Sequence, residues 1–170
     1  MGETSEDLQQ LQELLDTSMA NAGAFLRASF EAPAHSLSAA QLVAYFTGLR
    51  TVALATVTAR GEPRVAPIGA LLAHGHFVIP TVAAAARTRH VLARPGVSLT
   101  LYDGIDLAII AHGTAAVVTA DDPDFAEFEA LQRAAEGASV RDWGEGVYLR
   151  VTATALYTYA RYPDQFPTVV

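Results

Sequence analysis

The sequence predicts a mainly β fold, namely a six-stranded antiparallel Greek-key β-barrel, closed or partly closed, with helices at its N-terminus. Six short β-rich segments, most of them bounded by Gly or Pro turn signals, run from residue 51 to residue 159. Before them, apolar residues recur at helical spacing. With 51% hydrophobic residues in 170, the chain can bury one core. We predict one domain, 1–170, with helices in 1–48 and a barrel in 49–160 that carries helices near 82–94 and 122–136.

The N-terminal segment has the pattern of an amphipathic helix. Steps of three and four residues separate its apolar positions, which are Leu8, Leu11, Leu15, Met19, Ala22, Leu26 and Phe30. This spacing predicts one helix from about Ser5 to Phe30, with Thr4 or Ser5 as its N-cap and Pro33 ending it. A second, shorter helix is expected over Ser38–Gly48.

The first half of the barrel is predicted as an antiparallel meander. Its three strands are expected at Thr51–Thr58, Arg64–Leu72 and His76–Pro80. Turns at Arg60–Glu62 and His74–Gly75 connect them, and such short loops join neighbouring antiparallel strands.

The second half alternates strands and helices. A helix over Val82–Arg94 ends at Pro95-Gly96, and strands follow at Val97–Tyr102 and Leu107–Thr119. Within the latter strand, Gly113 indicates a bulge or a point where another backbone approaches closely.

The last elements are a helix and a strand. Asp122-Pro123 indicates the start of a helix, with Asp as the cap and Pro at the first helical position. A sixth strand is expected over Val147–Tyr159.

Composition excludes several kinds of chemistry. The chain has no Cys, which removes thiolate nucleophiles, disulfides and Cys-based metal sites. It also has no Lys, so all eleven Lys and Arg residues are Arg, and Schiff-base chemistry is excluded. An anion must therefore be bound by Arg, backbone N–H groups or a helix N-terminus.

Charge and hydropathy indicate which partners and which cellular location to expect. A net charge of −7 disfavours nucleic acid as a partner. The acidic N-terminal residues do not resemble a signal peptide, so we expect a cytoplasmic location. The longest charge-free stretch, Val65–Ala86, is interrupted by Pro, Gly and His, so we expect no membrane span.

The segment from Thr81 to Pro95 has the pattern of an anion site. Arg87 and His90 are three residues apart and share one helical face. If the helix begins near Thr81, its first N–H groups and the Thr81 hydroxyl can cradle an anion, to which Arg87 adds a charge-assisted bond. From these residues alone, a solvated Arg-rich helix on the barrel surface is the preferred interpretation.

The order of these motifs resembles the pyridoxamine-phosphate-oxidase-like family of FMN-binding split β-barrels. The matching pieces, over roughly Ser38–Val118, are Thr51–Val57, a Gly turn, Arg64–Ala70, Val78–Thr81, Arg87–His90 and Arg94–Leu101. In that family a similar strand leads to a hairpin, a strand ending in Thr, a basic segment and a P-x-V-S-L strand. The resemblance implies a homodimeric flavin- or F420-dependent oxidoreductase without a catalytic side chain or metal of its own.

The resemblance also implies residue roles. Thr81 matches the Thr that contacts the cofactor's ribityl-phosphate region, and Arg87 matches the basic position that binds the phosphate. Arg89 and His90 match the R-[NH] pair that follows, and Arg89 is expected to add to the phosphate contacts. The strand from Ala66 to Gly69 matches the one that lies along the flavin ring. The residues assigned to the cofactor are Arg64, Ala66, Pro67, Ile68, Gly69, Thr81, Arg87, Arg89 and His90.

Departures from the family pattern bear on the activity. Ala86 stands where a second basic residue is usual, Ala108 where a Gln is usual, and Gly69 where a Lys is usual. The C-terminal substrate segment of true pyridoxamine-phosphate oxidases is missing. We therefore expect FMN or F420, with haem a further option, and not vitamin B6 oxidation; a non-catalytic carrier of flavin, F420 or haem is the alternative.

A few other residues have simpler interpretations. His74 and His76 flank a turn without an evident third metal ligand, and His112 is expected to pack within its strand. Asp122 is explained as a helix cap. Trp143 could stack on a cofactor from the partner subunit, but a core or interface position is the preferred interpretation.

Overall fold

The computed structural model describes residues 3–168, and its six strands form one closed antiparallel barrel in the order β1-β2-β3-β6-β5-β4. The strands are β1 Arg50–Val57, β2 Pro63–Ala73, β3 His76–Val82, β4 Gly96–Asp103, β5 Leu107–Val118 and β6 Gly146–Ala160. The helices are α1 Ser5–Asn21, α2 Ala24–Ser29, α3 Ala39–Tyr45, α4 Ala86–Ala93 and α5 Phe125–Glu136, with short 3-10 turns at Val140–Trp143 and Pro163–Gln165. The predicted barrel is confirmed.

The N-terminal helix predicted as one piece is two helices. Ala22 is extended, with φ −64° and ψ 148°, and Gly23 precedes α2 with a similar backbone. The predicted cap at Thr4 is confirmed, because its hydroxyl accepts from the Asp7 N–H and the Asp7 carboxylate accepts from the Thr4 N–H. No helix in the span 3–168 is both long and apolar enough to cross a membrane.

Strand β2 pairs with β1 over its first part and with β3 over its last three residues. Residues 63–70 pair with β1, and only Leu71–Ala73 pair with β3. The pairing of β1 with β4 is likewise short, from Ala53 to Ala55. The barrel is therefore closed by few pairs at these two seams, while β5 and β6 pair over most of their length.

The predicted irregularity at Gly113 is confirmed. The β5–β6 register shifts between His112 and Gly113. A Cβ on Gly113 would lie 2.0 Å from the Thr152 carbonyl oxygen, so only glycine fits this close approach.

The core has two parts. The barrel interior is filled by fully buried side chains such as Phe77, Ile79 and Leu149. A second cluster packs α5 against the outside of the barrel, where the rings of Phe125 and Phe128 meet Tyr148 edge to face at 5.3 and 5.7 Å. The Tyr148 hydroxyl donates to the Gln132 Oε1 at 2.7 Å, and both side chains are buried.

Two predicted helix starts are wrong. Helix α4 begins at Ala86 rather than Val82, because Val82 still pairs with Gly146 and the Ala83 N–H donates to the Glu145 carbonyl. Helix α5 begins at Phe125.

The Asp122 carboxylate does not cap α5, since it accepts from the N–H and hydroxyl of Thr119, at 2.7 and 3.0 Å. The residue at the N-cap position of α5 is Asp124.

Candidate functional site

A cleft of about 370 Å³ lies between the β1–β2 hairpin and helix α4. Alternate residues of β1, which include Leu54 and Thr56, line one side of it, since alternate strand residues share a face. Ala86 and Arg87, at the start of α4, line the other side. Its volume is within the range of small-molecule sites in proteins, about 300–1,000 Å³.

Arg87 is fixed at this cleft by the end of β3. Its Nη1 donates to the Thr81 Oγ1 at 3.0 Å, and Thr81 is buried. Because Thr81 belongs to β3 and α4 starts five residues later, the Thr81 hydroxyl is not part of a helix N-terminal cradle. It instead holds a half-buried guanidinium, which keeps Arg87 out of open solvent.

His90 lies one turn after Arg87 and also lines the cleft. Its Nδ1 is 2.9 Å from the Thr56 Oγ1, and the Thr56 side chain is buried. This contact holds the imidazole against β1, so His90 connects helix α4 to the opposite wall of the cleft. Because His can both accept and donate a proton, it is the one imidazole that the lining offers for proton transfer.

The lining carries a net positive charge although the chain is acidic. It includes Arg60, Arg64 and Arg87 against the single carboxylate of Glu62. The Glu62 Oε2 accepts from the Arg64 Nη2 at 2.9 Å and lies 3.5 Å from the Arg60 Nη2. An anion entering the cleft would therefore meet Arg87 on one wall and two arginines, partly neutralised, on the other.

The structure places only some of the residues assigned from the sequence at the cleft. Those that line the cleft are Arg64, Ala66, Arg87 and His90, and Thr81 supports one of them. Pro67, Ile68 and Gly69 lie further along β2 and do not line it.

Two of these assigned residues have other partners. A Cβ on Gly69 would lie 2.6 Å from the Leu49 side chain, so the space above this glycine is filled by Leu49. Arg89 is exposed, and its Nη1 donates to the Ala84 carbonyl.

The sequence interpretation did not select Thr56 or Arg60. Thr56 alternates with Leu54 on one face of β1, and Thr58, just past the end of the strand, continues the alternation into the cleft lining. That period-two pattern is the signal that could have indicated Thr56. Arg60 lies in the turn, and no sequence pattern indicates that its side chain reaches the cleft.

A second polar cluster surrounds His74, which has a positive φ of 50° in the β2–β3 turn. Its Nδ1 is 3.0 Å from the Asp7 Oδ2 and its Nε2 is 2.9 Å from the Glu127 Oε1. These two hydrogen bonds, the one to Asp7 above all, raise the pKa of His74 to about 9. The sequence did not indicate any further ligand-type group here, whereas the structure brings Glu3 and Asp7 close to His74.

Two other expectations are corrected. His112 is exposed on the barrel surface, where its Nδ1 lies 2.7 Å from the Ser98 Oγ, and it is not a packed strand residue. Trp143 was expected in the core or at an interface; at 49% exposed it is not a core residue, and the interface position stays a prediction.

The closed six-stranded antiparallel barrel with its N-terminal helices defines a protein of the split-barrel class. The family model for pyridoxamine 5'-phosphate oxidase matches residues 38–159, which is most of the chain. The chain belongs to this pyridoxamine-phosphate-oxidase-like family. No curated protein matches it.

Solved structures with the same fold are distant in sequence. A conserved hypothetical protein of Mycobacterium tuberculosis has a TM-score of 0.62 and 20% identity, over 81% of this chain and 94% of that one. An F420 reductase has a TM-score of 0.54 and 20% identity, over 65% and 91% of the two chains. HutZ, the haem storage protein of Vibrio cholerae, has a TM-score of 0.55 and 17% identity, over 64% and 85%.

Proposed function

We propose that this protein binds FMN, or the deazaflavin F420, in the cleft between β1–β2 and α4, and acts as an oxidoreductase on a small molecule. The observation that carries the proposal is the Arg87 guanidinium, which a buried Thr81 hydroxyl holds at the wall of a cleft of about 370 Å³. A guanidinium fixed in this way binds phosphate oxygens with little further loss of conformational entropy.

The residues present fit a phosphate ester. Arg87 and Arg64 stand on opposite walls, and the N-cap of α4, Ala85, has no side chain that occupies the helix N-terminus. The first N–H groups of α4 therefore remain available to an anion beside Arg87. FMN carries a phosphate monoester and F420 a phosphodiester, so this chemistry suits both.

In this mechanism the bound cofactor supplies the hydride chemistry. The arginines hold its phosphate, and the hairpin and α4 exclude water from the part of the cofactor that they enclose. His90, oriented by Thr56, is placed to hold or release one proton at its ring nitrogen. Such a reaction needs no covalent step on the protein, which fits a chain without Cys or Lys.

We further propose that a second copy of the chain completes the site. Two large apolar side chains on the elements that form the cleft are unusually exposed: Val65 on β2, which lines the cleft, at 70%, and Leu92 on α4, outside the lining, at 71%. Their burial on association would be favourable, by about 25 cal/mol per Å² of apolar surface removed from water. A two-fold dimer would bury both and would supply the wall that the cofactor ring requires.

The alternative is a carrier that binds the same cofactor, or haem, without turnover. One observation favours it, because apart from His90 the polar lining groups are suited to binding anions rather than to reacting with a substrate. The two candidates differ in activity and not in binding.

Binding is tested by titrating the full-length protein with FMN, riboflavin, F420 and haem, followed by ligand absorbance and fluorescence. We expect FMN to bind at least about tenfold more tightly than riboflavin, since charge-assisted bonds contribute about 1.5–3 kcal/mol. Equal affinities would exclude phosphate recognition here. Reoxidation of the reduced cofactor by an acceptor panel then separates enzyme from carrier.

A further inference from the structure

A larger cleft, of about 660 Å³, lies at the other end of β2. It is bounded by the start of α1, the end of α3, helix α5 and the β2–β3 turn. It shares no lining residue with the basic cleft, to which β2 contributes residues 64–66, whereas here it contributes 71–73. The proposed cofactor site makes no use of this second cleft.

The walls of this second cleft are largely apolar. They include Leu8 from α1, Val43 and Phe46 from α3, Leu72 from β2 and Leu131 from α5. Phe46 is buried, while Leu8, Val43, Leu72 and Leu131 are partly buried. An apolar group that displaces water from this concave apolar wall binds favourably, by about 25 cal/mol per Å² of apolar surface buried.

One end of the cleft is acidic. Glu3 and Glu127 both line it, together with His74. The Glu3 Oε2 accepts from the Gly75 N–H at 3.1 Å, and the Glu127 Oε1 lies 2.9 Å from the His74 Nε2. With the adjacent Asp7, three carboxylates surround one imidazole, so this end keeps a negative charge even when His74 is protonated.

The environment of Glu3 disfavours its charged form. Burial raises the pKa of Glu3, and the neighbouring Asp7 carboxylate raises it further, against the opposing effects of the Gly75 N–H and His74. A cation placed beside Glu3 would favour its ionised form. The same carboxylates then provide a specific contact for a positively charged ligand group.

The geometry favours an organic cation over a metal ion. Both ring nitrogens of His74 are engaged with carboxylates, Nδ1 with Asp7 and Nε2 with Glu127, so neither presents a free lone pair to a metal. The cleft beside them continues as an apolar surface, which offers a metal no further ligands but can accommodate a carbon skeleton.

We propose that this cleft is a second ligand-binding site, which takes a small molecule with a protonated amine and an apolar body. The amine lies between the carboxylates of Glu3 and Glu127, and the body packs between Leu8 on α1 and Leu131 on α5. Because the ligand contacts α1, α5 and the β2–β3 turn together, its binding stabilises the attachment of these helices to the barrel.

The test compares three probes of one chain length on the full-length protein, by isothermal titration calorimetry. The probes are octylamine, octan-1-ol and octanoate, at a pH of about 7. We expect octylamine to bind at least about tenfold more tightly than octanol, because it alone adds a charge-assisted hydrogen bond, and octanoate to bind more weakly than either. Equal binding of the three probes, or tighter octanoate binding, would overturn the proposal.

Two kinds of variant locate the binding. In the double variant Glu3→Gln/Glu127→Gln, octylamine affinity should fall to that of octanol, while the α1 control Glu13→Gln should retain the tenfold preference. Ala135→Trp places a bulky ring at the lining of the cleft and should abolish binding of all probes, so it tests the site even if the double variant does not fold. Unchanged octylamine binding in a folded variant of either kind would overturn the proposal, as would binding of Zn²⁺ without any binding of octylamine.

Discussion

The Arg87 Nη1 donates a hydrogen bond to the Thr81 Oγ1 over 3.0 Å, and this contact joins the first turn of α4 to the end of β3. The Thr81 side chain is buried and belongs to the rigid barrel, so it fixes one of the five N–H donors of the guanidinium. The other donors of Arg87 then stand at the wall of the cleft without a flexible side chain having to be ordered by the ligand.

Replacement of Arg87 by Gln should weaken FMN binding by a factor of roughly 10 to 100, because loss of a charged hydrogen-bonding partner costs about 1.5–3 kcal/mol. Riboflavin affinity should change much less, since riboflavin has no phosphate. The matched control is Arg89→Gln, whose side chain is exposed and lies outside the cleft lining. If Arg89→Gln reduces FMN affinity as much as Arg87→Gln does, the phosphate position proposed here is wrong.

Replacement of Glu62 by Gln should have the opposite effect on anion binding. Glu62 pairs with Arg64 and Arg60, and its removal leaves both guanidinium groups free for a ligand anion. These groups are largely exposed, so the gain should be modest, about two- to fivefold in affinity for inorganic phosphate. Titration by ³¹P NMR measures this gain, with the exposed Glu145→Gln as the control; a loss of affinity would contradict the assignment.

Gly113→Ala should destabilise the barrel by about 1–3 kcal/mol, as overpacking of a close contact does. The added Cβ would lie 2.0 Å from the Thr152 carbonyl oxygen, so β5 and β6 would have to separate. Gly96→Ala is the matched strand control, because no heavy atom would lie within 4 Å of its Cβ. Urea unfolding of both variants decides the point, and equal stabilities would show that the register shift relaxes without cost.

Tyr148→Phe should lower the free energy of unfolding by about 1–3 kcal/mol. It removes the hydroxyl that donates to the Gln132 Oε1 and leaves this fully buried oxygen without that donor. The exposed Tyr102→Phe serves as the control and should be close to neutral. The urea midpoint is the measurement, and a neutral Tyr148→Phe would mean that Gln132 finds another donor.

The stability that His74 contributes should depend on pH in one direction. Its pKa is about 9 in the folded protein, above the value of about 6.5 in an unfolded chain, because it bonds to Asp7 and Glu127. The contribution is therefore fully present below about pH 6.5 and is lost as the pH rises through 9.

Melting temperatures of the wild type and of His74→Gln should thus differ most near pH 6 and least near pH 10. His112→Gln, an exposed histidine whose ring lies 2.7 Å from a serine hydroxyl, is the control. A difference for His74→Gln that stays constant over this pH range would contradict the ion-pair origin of the effect.

The strands could be predicted from the sequence because alternation and turn residues are local signals. Helix starts were less predictable where pairing with a neighbouring strand competes with helix formation for the same residues. The Ala-rich segment 82–85 has high helix propensity, yet the pairing of Val82 with Gly146 and the Ala83–Glu145 hydrogen bond extend the sheet instead. At Ala22 and Gly23 the backbone is extended and separates α1 from α2, yet the apolar side chains keep their helical spacing across this point. The side-chain pattern therefore did not indicate the break.

The candidate sites show the same limit. Arg87 and His90 were predictable because both lie on one helical face, a local relationship. The cluster of Asp7, His74 and Glu127 joins residues that are distant in sequence, and nothing in the local pattern indicates that the fold brings them together.

The half-paired strand β2 has a consequence for association between copies. Its residues 63–70 have a partner strand on one side, β1, and β3 joins only from residue 71 onward, so a stretch of main chain faces outward at the seam. Such a stretch can recruit another chain's strand in an uncontrolled way. Pro63 and Pro67 lack the N–H that such recruitment needs, which makes this border of the sheet a poor template for fibril growth.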